Sequence, residues 1–281
     1  MISVVIPTYN NAIKIQDAIN SLLKQNIPNL EIIVIDDSPN NKTKTAVKSL
    51  GSASIKYYKN NHNIGSTQSR KKGLKLCSHD YIGFLDDDDI VLNNNLSQKI
   101  SLIKSGNYDF VFCNYIVNNL VDNTIIKKQL KKYERDFQKN ILLSPGPFLQ
   151  CCLFNKNFIL NAMDDFDRKA EPSEDWDFFI SISKKSLKTK HLNVWGFQWN
   201  FSQNSQSYNY RNEMLALKYI TNKHFKYMES QSKNSLSLQY RKIGSMLYYL
   251  QDYSQAKQYF KGAFGIHRIS LKNIILNIVQ Y

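Results

Sequence analysis

The sequence predicts an α/β protein: a mostly parallel central sheet with helices on its faces. Three observations carry this. Short apolar, β-branched runs at residues 2–6, 31–35, 81–85 and 110–113 lack the polar alternation of a half-exposed strand, so each is expected to be buried on both faces. Between the early runs, apolar residues recur at helical spacing, and repeated strand-helix-strand units imply parallel pairing through crossover helices. With 281 residues, 42% of them hydrophobic, the chain can bury a sizeable core, which excludes disorder as a whole-chain state.

The first strand, Ile2 to Ile6, is closed by Pro7, and Ala12, Ile15, Ile19, Leu22 and Leu23 then mark a helix. Glu31 to Ile35 is a second strand that ends abruptly in Asp36-Asp37. Residues 45–50 are a short helix, 55–58 a third strand, 67–77 another helix, and 81–85 a fourth strand that runs into Asp86 to Asp89. Residues 97–104 look helical and 110–113 form a further buried strand. The stretch from Lys127 to Lys139 is charged and weakly periodic, as expected of a solvated loop or helix near a site. From Met214 onward only helical periodicity remains, with Gly244, Tyr253, Ala256, Phe260 and Ala263 at the offsets of one tetratricopeptide-like hairpin. A lone copy cannot build a solenoid, so it is expected to cap the main domain. Residues 271–279 form an apolar-rich helix that docks on the fold or touches a membrane surface.

The four cysteines (Cys77, Cys113, Cys151, Cys152) make no disulfide framework or zinc pair, which fits a reducing cytosolic setting. No basic leader precedes the first apolar run, so export is not expected. No stretch approaches the roughly 18 continuous apolar residues of a spanning helix, and any membrane role would be peripheral. Net charge is +14 and uneven: residues 1–120 carry 13 basic and 10 acidic side chains, residues 121–281 carry 24 and 13. A basic half marks a polyanionic partner or anionic lipid, or it reflects the Lys/Asn/Ile bias of an AT-rich genome. His62, His79, His191, His224 and His267 show no metal-ligand spacing, and the sequons at Asn41, Asn95 and Asn200 carry no weight in an Asn-rich chain.

In parallel sheets ligands sit beyond the carboxyl ends of the strands, and two acidic clusters occupy that edge. Asp86 to Asp89 repel one another unless a divalent cation and a phosphate share the site, since hard oxygen ligands suit Mg²⁺ or Mn²⁺; alternatively they are an acidic turn capping a helix. Asp36-Asp37 has the same two readings, accepting from a base or ribose or capping the next helix. In Ser173-Glu174-Asp175-Trp176-Asp177-Phe178-Phe179, acids near a helix start offset its dipole, or one serves as general base to a substrate hydroxyl with Trp176 as an apolar wall.

The combination resembles the family 2 glycosyltransferases of the GT-A fold. It consists of Val4 to Asn10, Glu31 to Ser38, Asn63-Ile64-Gly65 with Ser69-Arg70 and Gly73, Phe84 to Asp89, and Glu174-Asp175, in the family's order and approximate spacing over about residues 1–207. The resemblance implies a glycosyltransferase domain over 1–210, with a nucleotide-binding half of about 1–115 and an acceptor half of about 116–210, followed by a helical region over 211–281. It implies that Pro7, Thr8, Tyr9, Asn10 and Asp37 hold the nucleotide with Asp36 beside it, and that Gly65 and Arg70 belong to the donor side. Asp86-Asp87-Asp88 matches the Asp-x-Asp signature, with Asp86 toward the ribose and donor sugar and Asp88 ligating Mn²⁺ or Mg²⁺ on the diphosphate. Asp175 matches the catalytic base, with Glu174 and Trp176 near the acceptor. Lys71 stands where the family often has Asn, and Ser202 stands where a later segment usually carries His, which bears on the metal shell.

The same resemblance implies an inverting, metal-dependent transfer from a nucleotide-sugar, expected to be a UDP-sugar, to a glycan or lipid-linked oligosaccharide acceptor of a bacterial surface polysaccharide. The setting would be cytoplasmic, at the inner face of the membrane if Lys218, Lys223, Lys226, Lys233, Arg241 and Lys242 meet anionic lipid. The alternative is a catalytically silent glycosyltransferase-like module that binds nucleotide or a partner. A nucleotidyltransferase would need a basic, glycine-rich loop that residues 7–15 do not provide, and no basic-aromatic pattern points to nucleic acid.

Overall fold

The protein's structure, a computed structural model, describes residues 1–92, 95–203, 205 and 208–266. The chain begins β1 (Ile2–Thr8), α1 (Lys14–Leu23), β2 (Leu30–Asp36), α2 (Lys42–Ser49), β3 (Ile55–Lys59), α3 (Ser66–Leu76) and β4 (Tyr81–Phe84). It continues through β5 (Ile90–Val91), α4 (Asn95–Gly106), β6 (Phe110–Asn119), β7 (Thr124–Lys128), α5 (Lys131–Arg135), α6 (Phe137–Leu143), β8 (Cys152–Asn155) and α7 (Lys156–Asn161). It ends in α8 (Glu174–Ile182), β9 (Thr189–Phe201), α9 (Tyr210–Lys223), α10 (Phe225–Gln231), α11 (Lys233–Tyr249) and α12 (Tyr253–Ile266).

The strands form one sheet in the order β3-β2-β1-β4-β8-β6-β9-β5, with β7 paired to β6. β3, β2, β1 and β4 are parallel; β8 runs antiparallel between β4 and β6, and β9 is parallel to β6. Every residue of β1 and of β2 is buried, as their unbroken apolar runs require. Thr8 lies opposite Asp36 and Val5 opposite Phe84, so the carboxyl ends of β1, β2 and β4 come to one edge. Both acidic clusters are delivered there.

Helix α3 packs on this sheet through a glycine. A Cβ at Gly73 would stand 2.3 Å from Val5 Cγ1 and 3.3 Å from Ile35 Cγ1. Gly73→Ala is therefore expected to cost about 1–3 kcal/mol by overpacking, read as a lowered melting temperature; an unchanged melt would mean that α3 rides higher on the sheet.

The acceptor-side half departs from expectation. β7 and β9 have no simple apolar signature: all of β7 is exposed, and β9 is half-exposed along most of its length. Of the two expected states for residues 127–139, a solvated loop or a helix, the helix holds: after the end of β7 come α5 and the start of α6, largely exposed, with Tyr133 and Phe137 buried. Phe110, Phe112, Phe137, Phe154 and Phe179 meet in one aromatic core.

The terminal helices attach to the sheet domain through α8. Asp177, fully buried, faces His224 Nε2 at 2.7 Å and accepts from Lys223 Nζ at 2.6 Å. Burial lowers the His224 pKa against the pull of Asp177. α11 and α12 form a tight hairpin in which a Cβ on Gly244 would reach the Phe260 ring at 3.0 Å, and Ala256 and Ala263 are buried. Several cations expected to face lipid are used internally: Lys223 as above, Lys218 on Gln255, and Arg241 buried, while Lys226 and Lys233 stay exposed. Among the described residues no helix is long and apolar enough to cross a membrane. The expected helix at 271–279 lies outside the described residues.

Candidate active site

The centre is built around a buried arginine. Arg70 projects from α3 and donates from Nη1 to Glu174 Oε1 at 2.6 Å and from Nη2 to Asp86 Oδ1 at 2.7 Å. It ties the start of α8 to the end of β4. Burial acts to lower its pKa, but Asp86, Glu174 and Asp175 hold it well above the ordinary value, so it stays charged. Gln150 completes Asp86, donating to Oδ2 at 2.5 Å.

Asp175 lies in the first turn of α8. Its Oδ2 accepts from the backbone N–H of Leu149 at 2.9 Å, while its buried Oδ1 has no partner among the described residues. Burial pushes its carboxyl up to about 7; Arg70 opposes the rise and Glu174 adds to it. Arg70 Nε, Glu174 Oε2 and Gln150 Oε1 are likewise buried without partners among the described residues. Buried polar atoms are normally satisfied, so four orphans in one connected cluster mark where a polar ligand belongs.

The acidic run divides its work. Asp87 accepts from Thr8 Oγ1 at 2.5 Å and from Asn11 Nδ2 at 2.8 Å, and burial pushes its carboxyl up to about 7 against those bonds. Asp89 is buried and accepts from the Asn200 backbone N–H at 2.9 Å, while Asn200 Nδ2 donates to the Asp88 carbonyl. Asp88 is half-buried, as Asp86 is, and among the described residues its one cationic neighbour is Lys14 at 3.8 Å. Burial and then Asp86 raise its pKa, which Lys14 lowers. Among the described residues no three His, Cys, Asp or Glu side chains are grouped to hold a cation. A single carboxylate held only by Lys14 does fit Mg²⁺ or Mn²⁺, which bind through one or two carboxylates and take their remaining ligands from phosphate and water.

At the ends of β1 and β2, Asp36 accepts from Tyr57 Oη at 2.5 Å and the Ser38 backbone N–H at 2.8 Å. Asp37 accepts from Asn60, Ser69 and the Gly65 N–H, the last at 3.1 Å. Gly65 has φ +86°, a conformation glycine adopts without strain, and Arg168 lies against it, 3.1 Å from where a Cβ would stand. Pro7 is buried in β1, Tyr9 is exposed, and Asn10 donates its N–H to Ser38 Oγ. Beside this edge opens a cavity of about 800 Å³ lined by Arg168, Lys169, Glu171, Gln203, Tyr208 and Leu215 among others. Glu171 connects it to α3, accepting from Thr67 N and Oγ1 at 3.1 and 2.6 Å.

One expected contact is corrected. Trp176 is no acceptor wall: it is buried in the core and its indole N–H donates to the Ile141 carbonyl at 2.6 Å. Glu174 is also buried, committed to Arg70 through Oε1. Asn11, Gln150, Glu171, Arg168 and Asn200 were not expected at the site. Gln150 left one trace, a lone amide in the apolar run Phe148 to Phe154.

An acidic edge, a cationic bridge and a poised carboxyl on a mostly parallel sheet define a GT-A-type architecture. The glycosyl transferase family 2 model matches residues 3–161, and the chain belongs to that family. It is 36% identical over 129 residues to the Escherichia coli UDP-Glc:alpha-D-GlcNAc-diphosphoundecaprenol beta-1,3-glucosyltransferase WfgD, covering 46% of this chain and 50% of that one. It is 32% identical over 167 residues to the Campylobacter jejuni GalNAc(5)-diNAcBac-PP-undecaprenol beta-1,3-glucosyltransferase, covering 57% and 53%. The match thus spans about half the length of these curated relatives. S. aureus TarS in complex with UDP-GlcNAc shares the fold at 16% identity and TM-score 0.61, over 95% of this chain and 91% of that one. So does the Pyrobaculum calidifontis mannosyltransferase PcManGT, in complex with GDP-Man and Mn²⁺, at 13% identity and TM-score 0.61, over 99% and 83%.

Proposed function

We propose that the protein is an inverting glycosyltransferase that moves a sugar from a UDP-sugar to a hydroxyl of a glycan carried on a polyprenyl diphosphate. The observation that carries the reaction is Asp175: a carboxyl oriented by one backbone N–H, with a buried free oxygen and a pKa raised to about 7. The family and the names of the two curated relatives support the donor and acceptor class.

In this reading the acceptor hydroxyl gives its proton to Asp175 Oδ1 as its oxygen bonds to the anomeric carbon. The bond from that carbon to the diphosphate oxygen breaks, UDP departs with the electron pair, and a single displacement inverts the configuration. Asp175 needs to be ionised to act, and Leu149 holds its other oxygen so that Oδ1 faces the reactants. Arg70 keeps Glu174 and Asp86 from repelling the incoming diphosphate. Asp88 would hold the divalent cation, which when bound neutralises charge on the leaving diphosphate.

The test is UDP release from a panel of UDP-sugars with a short-chain polyprenyl-diphosphate GlcNAc acceptor. Wild type is expected to turn over one donor and to lose activity in EDTA. Asp88→Ala should be slowed by about 10²-fold or more, and its remaining rate should no longer respond to Mn²⁺. UDP binding without turnover on any donor and acceptor would leave the silent binding module in its place.

A further inference from the structure

The β6–β7 hairpin carries apolar surface that the fold does not use. Leu120, Val121, Ile125 and Ile126 are 48%, 39%, 70% and 42% exposed, within one hairpin whose second strand is exposed at every position. β7 pairs only with β6 among the described residues, so its outer edge is open. The tip is well formed: Asp122 accepts from Thr124 N and Oγ1, Asn119 accepts from Val121 N, and Leu120 N–H donates to the Phe201 carbonyl at 2.8 Å. Ile125 and Ile126, consecutive on β7, project from opposite faces of the hairpin, so its exposed end carries aliphatic side chains on both sides, a surface that another phase or molecule covers.

Its flank is cationic. Lys127, Lys128, Lys131 and Lys132 follow directly, and none of them is ion-paired to a carboxylate among the described residues; Lys127 sits 5.5 Å over the Trp195 ring. We infer that this hairpin docks on an anionic lipid surface, its aliphatic tip entering the headgroup layer and its lysines meeting lipid phosphates. The charge selects this occupant over a second copy of the chain. Lysines crowding an open edge oppose strand pairing between copies and complement anionic lipid. The position also suits it: Leu120 bonds to Phe201, Phe201 rests on Tyr208 with centroids 6.0 Å apart, and Tyr208 lines the cavity beside the centre. Docking there would hold the cavity at the surface where a polyprenyl-linked acceptor is presented, a purpose that rests on the proposed function, though the surface itself does not.

The experiment is flotation of the full chain with phosphatidylcholine vesicles, with and without phosphatidylglycerol, for wild type, Ile125→Ser/Ile126→Ser and Lys127→Gln/Lys128→Gln. All lie on exposed positions, and thermal melts verify their folding. Wild type is expected to float with anionic vesicles and to be released as salt is raised. The lysine pair should weaken partitioning by about 25-fold, from about five-fold per lysine, and the isoleucine pair by about tenfold or more. Transfer to a water-soluble acceptor without vesicles should be unchanged in both. Flotation that follows these variants while no acceptor is glycosylated would uphold the surface and remove the proposed function. Wild type that fails to float, or variants that float as wild type does, would overturn the inference. So would a wild-type dimer in sedimentation that the isoleucine variant splits without any effect on flotation.

Discussion

Replacing Asp175 with asparagine is expected to lower kcat by about 10²–10⁴-fold while leaving the affinity for UDP within a factor of about two. The amide keeps the shape and can still accept from Leu149 N–H, but it cannot take a proton. The pH profile gives an independent reading. With the carboxyl raised to about 7, the wild-type kcat/KM should fall tenfold per unit as pH drops below that value, and the residual rate of the variant should be flat there. Stability moves the other way. Burial raises the folded pKa above the ordinary 3.8, so the folded state holds this proton more tightly than the unfolded chain, and the stability it contributes is lost as pH rises from about 3.8 to about 7, with no further change above that. Asp175→Asn is thus expected to melt no lower than wild type at alkaline pH. Full activity in the variant would remove Asp175 as the base, and a collapsed melt would mean the loss reports folding.

Arg70→Met should be the most destabilising single change at the centre. The guanidinium is buried between Glu174 and Asp86, and removing it leaves two carboxylates facing each other with Asp175 close by. Breaking a buried ion pair by deleting one partner costs about 3–5 kcal/mol, or roughly 6–20 °C in melting temperature for a chain of this size. Transfer should be lost as well. Adding Glu174→Gln should restore part of the stability, since one uncompensated charge is gone, with a coupling of about 0.5–3 kcal/mol. Arg70→Lys should fall between, because an ammonium cannot present the two-pronged fork that reaches both carboxylates. A melt for Arg70→Met within a degree of wild type would show that the bridge contributes nothing.

The N-terminal half was legible because its signals are local. Unbroken β-branched runs such as 31–35 can only be buried strands in a chain this size, and each acidic cluster follows its strand directly, so strand order alone puts Asp37 and Asp86 on one edge. The other half was not. β8 is four residues long, β9 alternates unevenly around a register shift, and α9 starts at Tyr210, four residues ahead of its first clear apolar mark, because the Asn209 side chain caps it.

Residue type and spacing, which are written in the chain, were enough for the kind of fold and for Asp36-Asp37 and Asp86 to Asp89 on one sheet edge, while Arg70 and Asp175 became candidates through the resemblance to the family. How those residues are used emerged only from the folded chain. Of four consecutive aspartates, one bonds to Arg70 and Gln150, one to Thr8 and Asn11, one to the backbone of Asn200, and one faces Lys14, though all four look alike in sequence. Two successive residues in α8, Asp175 and Trp176, part company in the same way, one to the site and one to the core. The physical reason is that burial and partnership are set by groups far along the chain, some more than a hundred residues away, and a carboxylate has no fixed role until its surroundings decide whether it is charged, paired or free.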